Sequence, residues 1–174
     1  LMINLYLLRN TGKELQEKVN TFFEDLVTVI SYGVIYISFL LELTYHVSEM
    51  PWSAIVGIGL LFSIYYLFIL LLFRKPLNIR SDVQTALIYL FLFLIILNTS
   101  VSTLPIVTAV LTKKLHLSFY LLHLLQWIPF IYVCSRIIPS SEFHKVWISY
   151  WILSLTLIIS LSCELHHSYV LMVS

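Results

Sequence analysis

Apolar residues dominate this chain in five long blocks, and short polar connections separate them. The blocks are Leu26–Val47, Trp52–Phe73, Val83–Leu111, Leu117–Ile138 and Val146–Cys163, the last open to extension as far as Val173. A hydrocarbon core roughly 30 Å thick needs about 20 mostly apolar residues in a helix rising 1.5 Å per residue. Each block therefore predicts a membrane-crossing helix. The punctuation agrees, with Ser48-Glu49-Met50-Pro51 after the first block and Arg74-Lys75-Pro76 after the second. The expected fold is an all-α, polytopic membrane protein, a bundle of about five transmembrane helices over residues 26–174.

Residues 1–25 follow another pattern. Leu15, Val19, Phe22, Phe23 and Leu26 recur at helical spacing, with Lys13, Glu14, Glu17, Lys18 and Glu24 between them. That arrangement predicts an amphipathic helix on the membrane surface ahead of the first span, or an entry helix packed on a neighbouring subunit. The apolar run Leu1–Leu8 is too short to span, and no basic region precedes it as in a secretory signal.

Charge orients the bundle. Arg9, Lys13, Lys18, Arg74, Lys75, Arg80, Arg136 and Lys145 fall on one side of the predicted spans, and only Lys113 and Lys114 on the other. Lys and Arg accumulate in cytoplasmic loops. The N-terminus is therefore expected on the cytoplasmic or matrix side and the C-terminus opposite, in a membrane the sequence does not name.

Composition reinforces this reading: hydrophobic residues make up 60% and charged residues 11%, with a mean hydropathy of +0.94. Soluble domains carry about 25% charged residues. A net charge of +1 offers no basic surface to neutralise phosphates, so nucleic acid is not an expected partner. Four glycines, none in a GxxxG pair, predict bulky helices that pack loosely and meet lipid or other transmembrane subunits. Cys134 and Cys163 sit in apolar runs and read as small buried hydrophobes.

The third block is too long and is interrupted. Its 29 residues would make a helix of about 43 Å, and Asn98-Thr99-Ser100-Val101-Ser102-Thr103-Leu104-Pro105 stands inside it. Pro105 removes a backbone donor, and the hydroxyls nearby can satisfy the carbonyls it frees. Asn98, Ser102 and Pro105 thus mark a polar helix break: either a kinked, tilted helix or a broken one lining a polar cavity.

Ionisable residues within membrane segments are costly, which makes them functional candidates. Glu42 and His46 end the first block, His116 and His123 begin the fourth, and Glu164, His166 and His167 end the fifth, all on the predicted outer side. Glu42, His46, His116, His123, Glu164 and His167 are candidates for proton, ion or metal contact if they converge. Otherwise they cap helix ends at the outer interface. The Glu164-x-x-His167 spacing matches the motif of di-iron carboxylate bundles, which need it on two helices. His123 and Gln126 lie deeper and are expected to hydrogen-bond between helices. No phosphate loop, Gly-x-Ser-x-Gly elbow, His-Glu-x-x-His or Cys-x-x-Cys occurs, so no catalytic residue or cofactor is assigned.

Two family resemblances are local. Tyr32–Phe39 resembles the Tyr/Gly-rich helix of a small complex I membrane subunit, although there two helices precede that segment and glycine is abundant. Residues 52–163 are similar in rhythm to the extra N-terminal membrane bundle of some ABC transporters, without a diagnostic motif. The expected function is an integral membrane subunit or scaffold domain of a larger complex, without catalysis of its own. The alternatives are a transporter or ion- or proton-conducting subunit using the third-helix break and the outer Glu/His residues, and a metal-dependent enzyme acting on a membrane lipid.

Overall fold

The computed structural model describes residues 23, 26–77 and 79–173. The amphipathic helix expected over residues 1–25 therefore lies outside the described residues, Phe23 apart. Five helices are long and apolar enough to cross a membrane: α1 (Leu26–His46), α2 (Trp52–Leu72), α3 (Ser81–Leu111), α4 (Ser118–Ser140) and α5 (Trp147–Val173). No strand occurs among the described residues. The protein is a polytopic, all-helical membrane protein.

The chain divides into two compact units at Glu42/Leu43. Most of α1 belongs to the first and is described by itself. Helices α2–α5 belong to the second and pack around a core that includes Ile64, Leu71, Ile88, Phe91, Leu92, Ile95, Val107, Phe130, Val133 and Phe143. The outward positions of these helices are apolar as well, with Phe93, Leu104, Ile128, Ile131, Leu155, Ile158 and Leu165 exposed. A water-soluble bundle would aggregate through such a surface, whereas hydrocarbon solvates it.

Three local devices set the register of this unit. In α3 the helix does not break at Asn98-Thr99-Ser100-Val101-Ser102; it passes through these residues as a π-helical turn with helical dihedrals at either end. A π turn pairs residue i with i+5, so Asn98 and Thr103 come onto one face. In α4 the backbone tightens: Leu125 N–H donates to Leu122 O at 3.1 Å and Gln126 N–H to His123 O at 3.3 Å. Such i,i+3 bonds eclipse side chains three residues apart, which aligns Tyr120, His123 and Gln126. Pro129, lacking an N–H, cannot bond the carbonyl of Leu125, and the Tyr65 hydroxyl of α2 donates to that oxygen at 3.0 Å.

α5 is inside out. All of its buried residues are polar: Ser149, Thr156, Ser160, Glu164 and His167. They recur at intervals of seven, four, four and three, one face of a helix. In hydrocarbon this is the stable arrangement, because lipid solvates leucine as well as another leucine does and polar groups gain most from meeting each other. The helix continues to Val173, the longer of the two ends expected for it, since Leu165, Tyr169, Val170, Leu171, Met172 and Val173 carry the apolar surface onward. Glu164 is consequently an interior residue of the helix, 6% exposed, and not an interfacial cap.

Candidate functional site: a buried carboxylate–imidazole centre

The inner faces of α3, α4 and α5 meet at a cluster of polar side chains. Asn98, Thr103, His123, Gln126 and Glu164 are all buried there. His123 Nε2 lies 3.0 Å from Glu164 Oε1, and Gln126 Nε2 donates to the same oxygen at 3.0 Å. Asn98 Nδ2 donates to Gln126 Oε1 at 2.9 Å and reaches His123 Nδ1 at 3.3 Å. Thr103 Oγ1 is 2.8 Å from His123 Nε2. Ser102 Oγ lies 2.6 Å from Asn98 Oδ1 and so orients the amide. On the other carboxylate oxygen, Tyr120 O–H donates to Glu164 Oε2 at 3.4 Å and sits 2.7 Å from Ser168 Oγ. The Tyr120 and His123 rings stack with centroids 6.5 Å apart.

These contacts fix a consistent set of protons. With the Asn98 amide N–H directed at His123 Nδ1, the tautomer that fits the contacts is the one carrying its proton on Nε2. Nε2–H then donates to Glu164 Oε1, sharing with Thr103 Oγ1. The 3.2 Å approach of Gln126 Nε2 to His123 Nε2 joins two donors and is packing, since that amide already donates to Glu164. The carboxylate thus receives three donors, from His123, Gln126 and Tyr120. A carboxylate in a hydrocarbon interior is costly even when hydrogen-bonded, and the Tyr120 side of Oε2 is where one more proton fits without breaking the contacts on Oε1.

Of the candidates read from the sequence, the structure brings His123, Glu164, Asn98 and Ser102 together. His167 is buried one turn beyond Glu164 but turns its Nδ1 to Cys163 O of its own helix at 2.6 Å. His116 stays outside the cluster, with Nδ1 3.1 Å from Ser118 Oγ at the exposed start of α4. Glu42 closes the first unit, and the His46 ring packs against the neighbouring Tyr45 ring. Pro105 lies beyond the π turn, within a continuous helix. The cavity that a broken α3 would line is not formed, because the face of Asn98 is filled by Gln126, His123 and Thr103. The hydrogen bonds expected between helices from His123 and Gln126 are present, to Glu164 of α5 and Asn98 of α3, so these helices are joined by amide, imidazole and hydroxyl groups. Tyr120 and Ser168 were missed, and the signal available for them was the alignment of Tyr120 with His123 at i,i+3.

Among the described residues no group of three His, Cys, Asp or Glu is arranged to hold a metal ion, and Glu164 with His123 supplies two. A shallow apolar crevice formed by Gly57, Leu61, Ile106, Phe119 and Leu122 reaches the edge of His123. At Gly57 an added Cβ would lie 2.7 Å from Ile106 Cδ1, so the end of the Ile106 side chain would have to shift to admit it. Among the described residues only the Nε2 of Gln84 is a buried side-chain polar atom without a partner. The centre groups one carboxyl, one imidazole and a phenolic hydroxyl within hydrogen-bonding reach. Comparison with known protein families, with curated protein sequences and with solved structures gives no match.

Proposed function

We propose that this protein is a proton-exchanging membrane subunit in which Glu164, paired with His123, takes up and releases a proton during transport. The observation that carries the proposal is the burial of the Glu164 carboxyl among hydrogen-bonding side chains inside a membrane bundle, 3.0 Å from an imidazole. Intramembrane carboxylates and histidines so placed are the groups from which pumps and transporters build proton relays. Gln126, Asn98 and Thr103 hold the imidazole and carboxylate in register, so that protonation changes charge without requiring the helices to separate. The eight-to-two distribution of Lys and Arg supports a cytoplasmic or matrix-side N-terminus, which puts the Glu164 end of α5 towards the opposite side.

Infrared difference spectroscopy on the purified chain in lipid bilayers tests this reading. Shifting the bulk pH should raise a protonated-carboxyl band that is missing in Glu164→Gln. If no such band distinguishes the two proteins, Glu164 holds its proton state permanently and the proposal falls. The second reading would then stand, a scaffold subunit of a larger membrane assembly. That reading is favoured by the near-complete pairing of buried polar groups in α2–α5, where a satisfied network fixes helix register.

A further inference from the structure

The polar seam of α5 extends in both directions from Glu164, and its two halves differ. Towards the C-terminal end of α5, Glu164 Oε2, Tyr120 O–H and Ser168 Oγ form an unbroken chain with steps of 3.4 and 2.7 Å, and Ser168 is half-buried. Towards the N-terminal end the chain stops. Ser160 Oγ meets Thr99 Oγ1 at 3.3 Å, but Thr156 is turned back onto Ile152 O of its own helix. The next cross-helix polar contact is Tyr89 with Ser149 at 2.7 Å, about 16 Å further along at 1.5 Å per residue. Ile88, Phe91, Leu92 and Ile95 of α3 are fully buried over that interval, and the ring of Phe143 packs on Tyr89 with centroids 5.0 Å apart.

Resting on the proton-exchange reading above, we infer that protons reach Glu164 from one side only, through Ser168 and Tyr120, while Ile88, Leu92 and Ile95 seal the opposite half. The transfer balances as a relay. A hydronium ion at Ser168 gives its proton to the serine oxygen as the serine hydroxyl proton passes to Tyr120. The phenolic proton of Tyr120 passes to Glu164 Oε2. The net change is hydronium plus carboxylate giving water plus carboxylic acid, with both hydroxyls restored. The titratable groups facing Glu164 are His123 and Tyr120 from α4, with His167 one turn along α5. The α3 side presents only Asn98 and Thr103, and the α2 side presents the apolar crevice wall. Among the described residues, Tyr120 is the titratable group that bonds both Glu164 and Ser168.

Time-resolved infrared detection of the Glu164 carboxyl band after a pH jump, on the full chain in bilayers, tests this. Tyr120→Phe keeps the ring and should slow the appearance of the band by about tenfold or more, the rate equivalent of losing about 1.4 kcal/mol from one step, without reducing its final amplitude. Ser168→Ala should slow it in the same direction, and gives a second variant should Tyr120→Phe fail to fold. Tyr89→Phe, on the sealed side, should leave the rate unchanged. An unaltered rate in both Tyr120→Phe and Ser168→Ala would overturn the route, as would a rate slowed equally by Tyr89→Phe. Absence of the band from the unmodified protein would instead overturn the proton-exchange reading itself.

Discussion

Replacing Asn98 by Leu removes the side chain that joins α3 to α4 while nearly conserving volume. Its amide N–H groups make the 2.9 Å bond to Gln126 Oε1 and the longer 3.3 Å contact to His123 Nδ1. Hydrogen bonds between membrane helices contribute about 0.6 kcal/mol on average and about 1.7 at most. The short bond deserves the upper part of that range and the long one the lower. The sum is about 1–2 kcal/mol, roughly a factor of 5–30 in the folded-to-unfolded ratio. Equilibrium unfolding by detergent titration in mixed micelles measures it directly. Thr108→Ala is the control, because the Thr108 hydroxyl is exposed and bonds only to Leu104 O of its own helix at 2.9 Å; it should stay within about 0.5 kcal/mol of the parent. A double-mutant cycle with Gln126→Leu should return a coupling of about 0.6–1.7 kcal/mol. If Asn98→Leu behaves like the control, or the coupling is indistinguishable from zero, the cluster does not hold the helices together as argued.

Other substitutions read other parts of the structure. Glu164→Leu should destabilise the bundle by about 3–5 kcal/mol, because it leaves His123, Gln126 and Tyr120 without their shared acceptor; Glu164→Gln, which keeps an oxygen, should cost clearly less in the same titration. Gly57→Leu should cost about 1–3 kcal/mol by overpacking against Ile106, and the penalty should shrink when combined with Ile106→Ala. Tyr65→Phe should cost about 1 kcal/mol, because the Leu125 carbonyl loses its bond from α2 and keeps only the one from Ile128 N–H, with a smaller loss in a Pro129→Ala background where a backbone N–H is restored.

The spans were legible because a bilayer imposes one length and one polarity on any helix that crosses it. Leucine-rich blocks of that length have no other stable solvent, and the ends of α2 at Trp52 and Leu72 follow from Pro51 and Arg74. The site was legible only in pieces. Asn98, His123 and Glu164 each stand out as polar residues in apolar surroundings, but an ideal 3.6-residue period does not place them opposite one another. Their meeting depends on two local departures from that period, the π turn over Asn98–Ser102 and the tightened backbone at Leu122–Gln126. Neither has a sequence signature beyond a nearby proline. Glu164 was read as a helix end because Cys163-Glu164-Leu165-His166-His167 breaks the apolar run. The stripe Ser149, Thr156, Ser160, Glu164 was present in the sequence all along, and a search for polar rather than apolar periodicity would have found the buried face of α5.

The most direct test of the central claim is the carboxyl carbon of Glu164 itself. Solid-state NMR of glutamate-labelled protein in lipid bilayers, assigned by comparison with Glu164→Gln, follows that carbon as the bulk pH is changed. The account predicts that the Glu164 resonance moves between carboxylate and carboxylic acid positions, and that the His123 ring nitrogens respond in the same titration because they share Oε1. A Glu164 resonance that stays at one position throughout the pH range would contradict it.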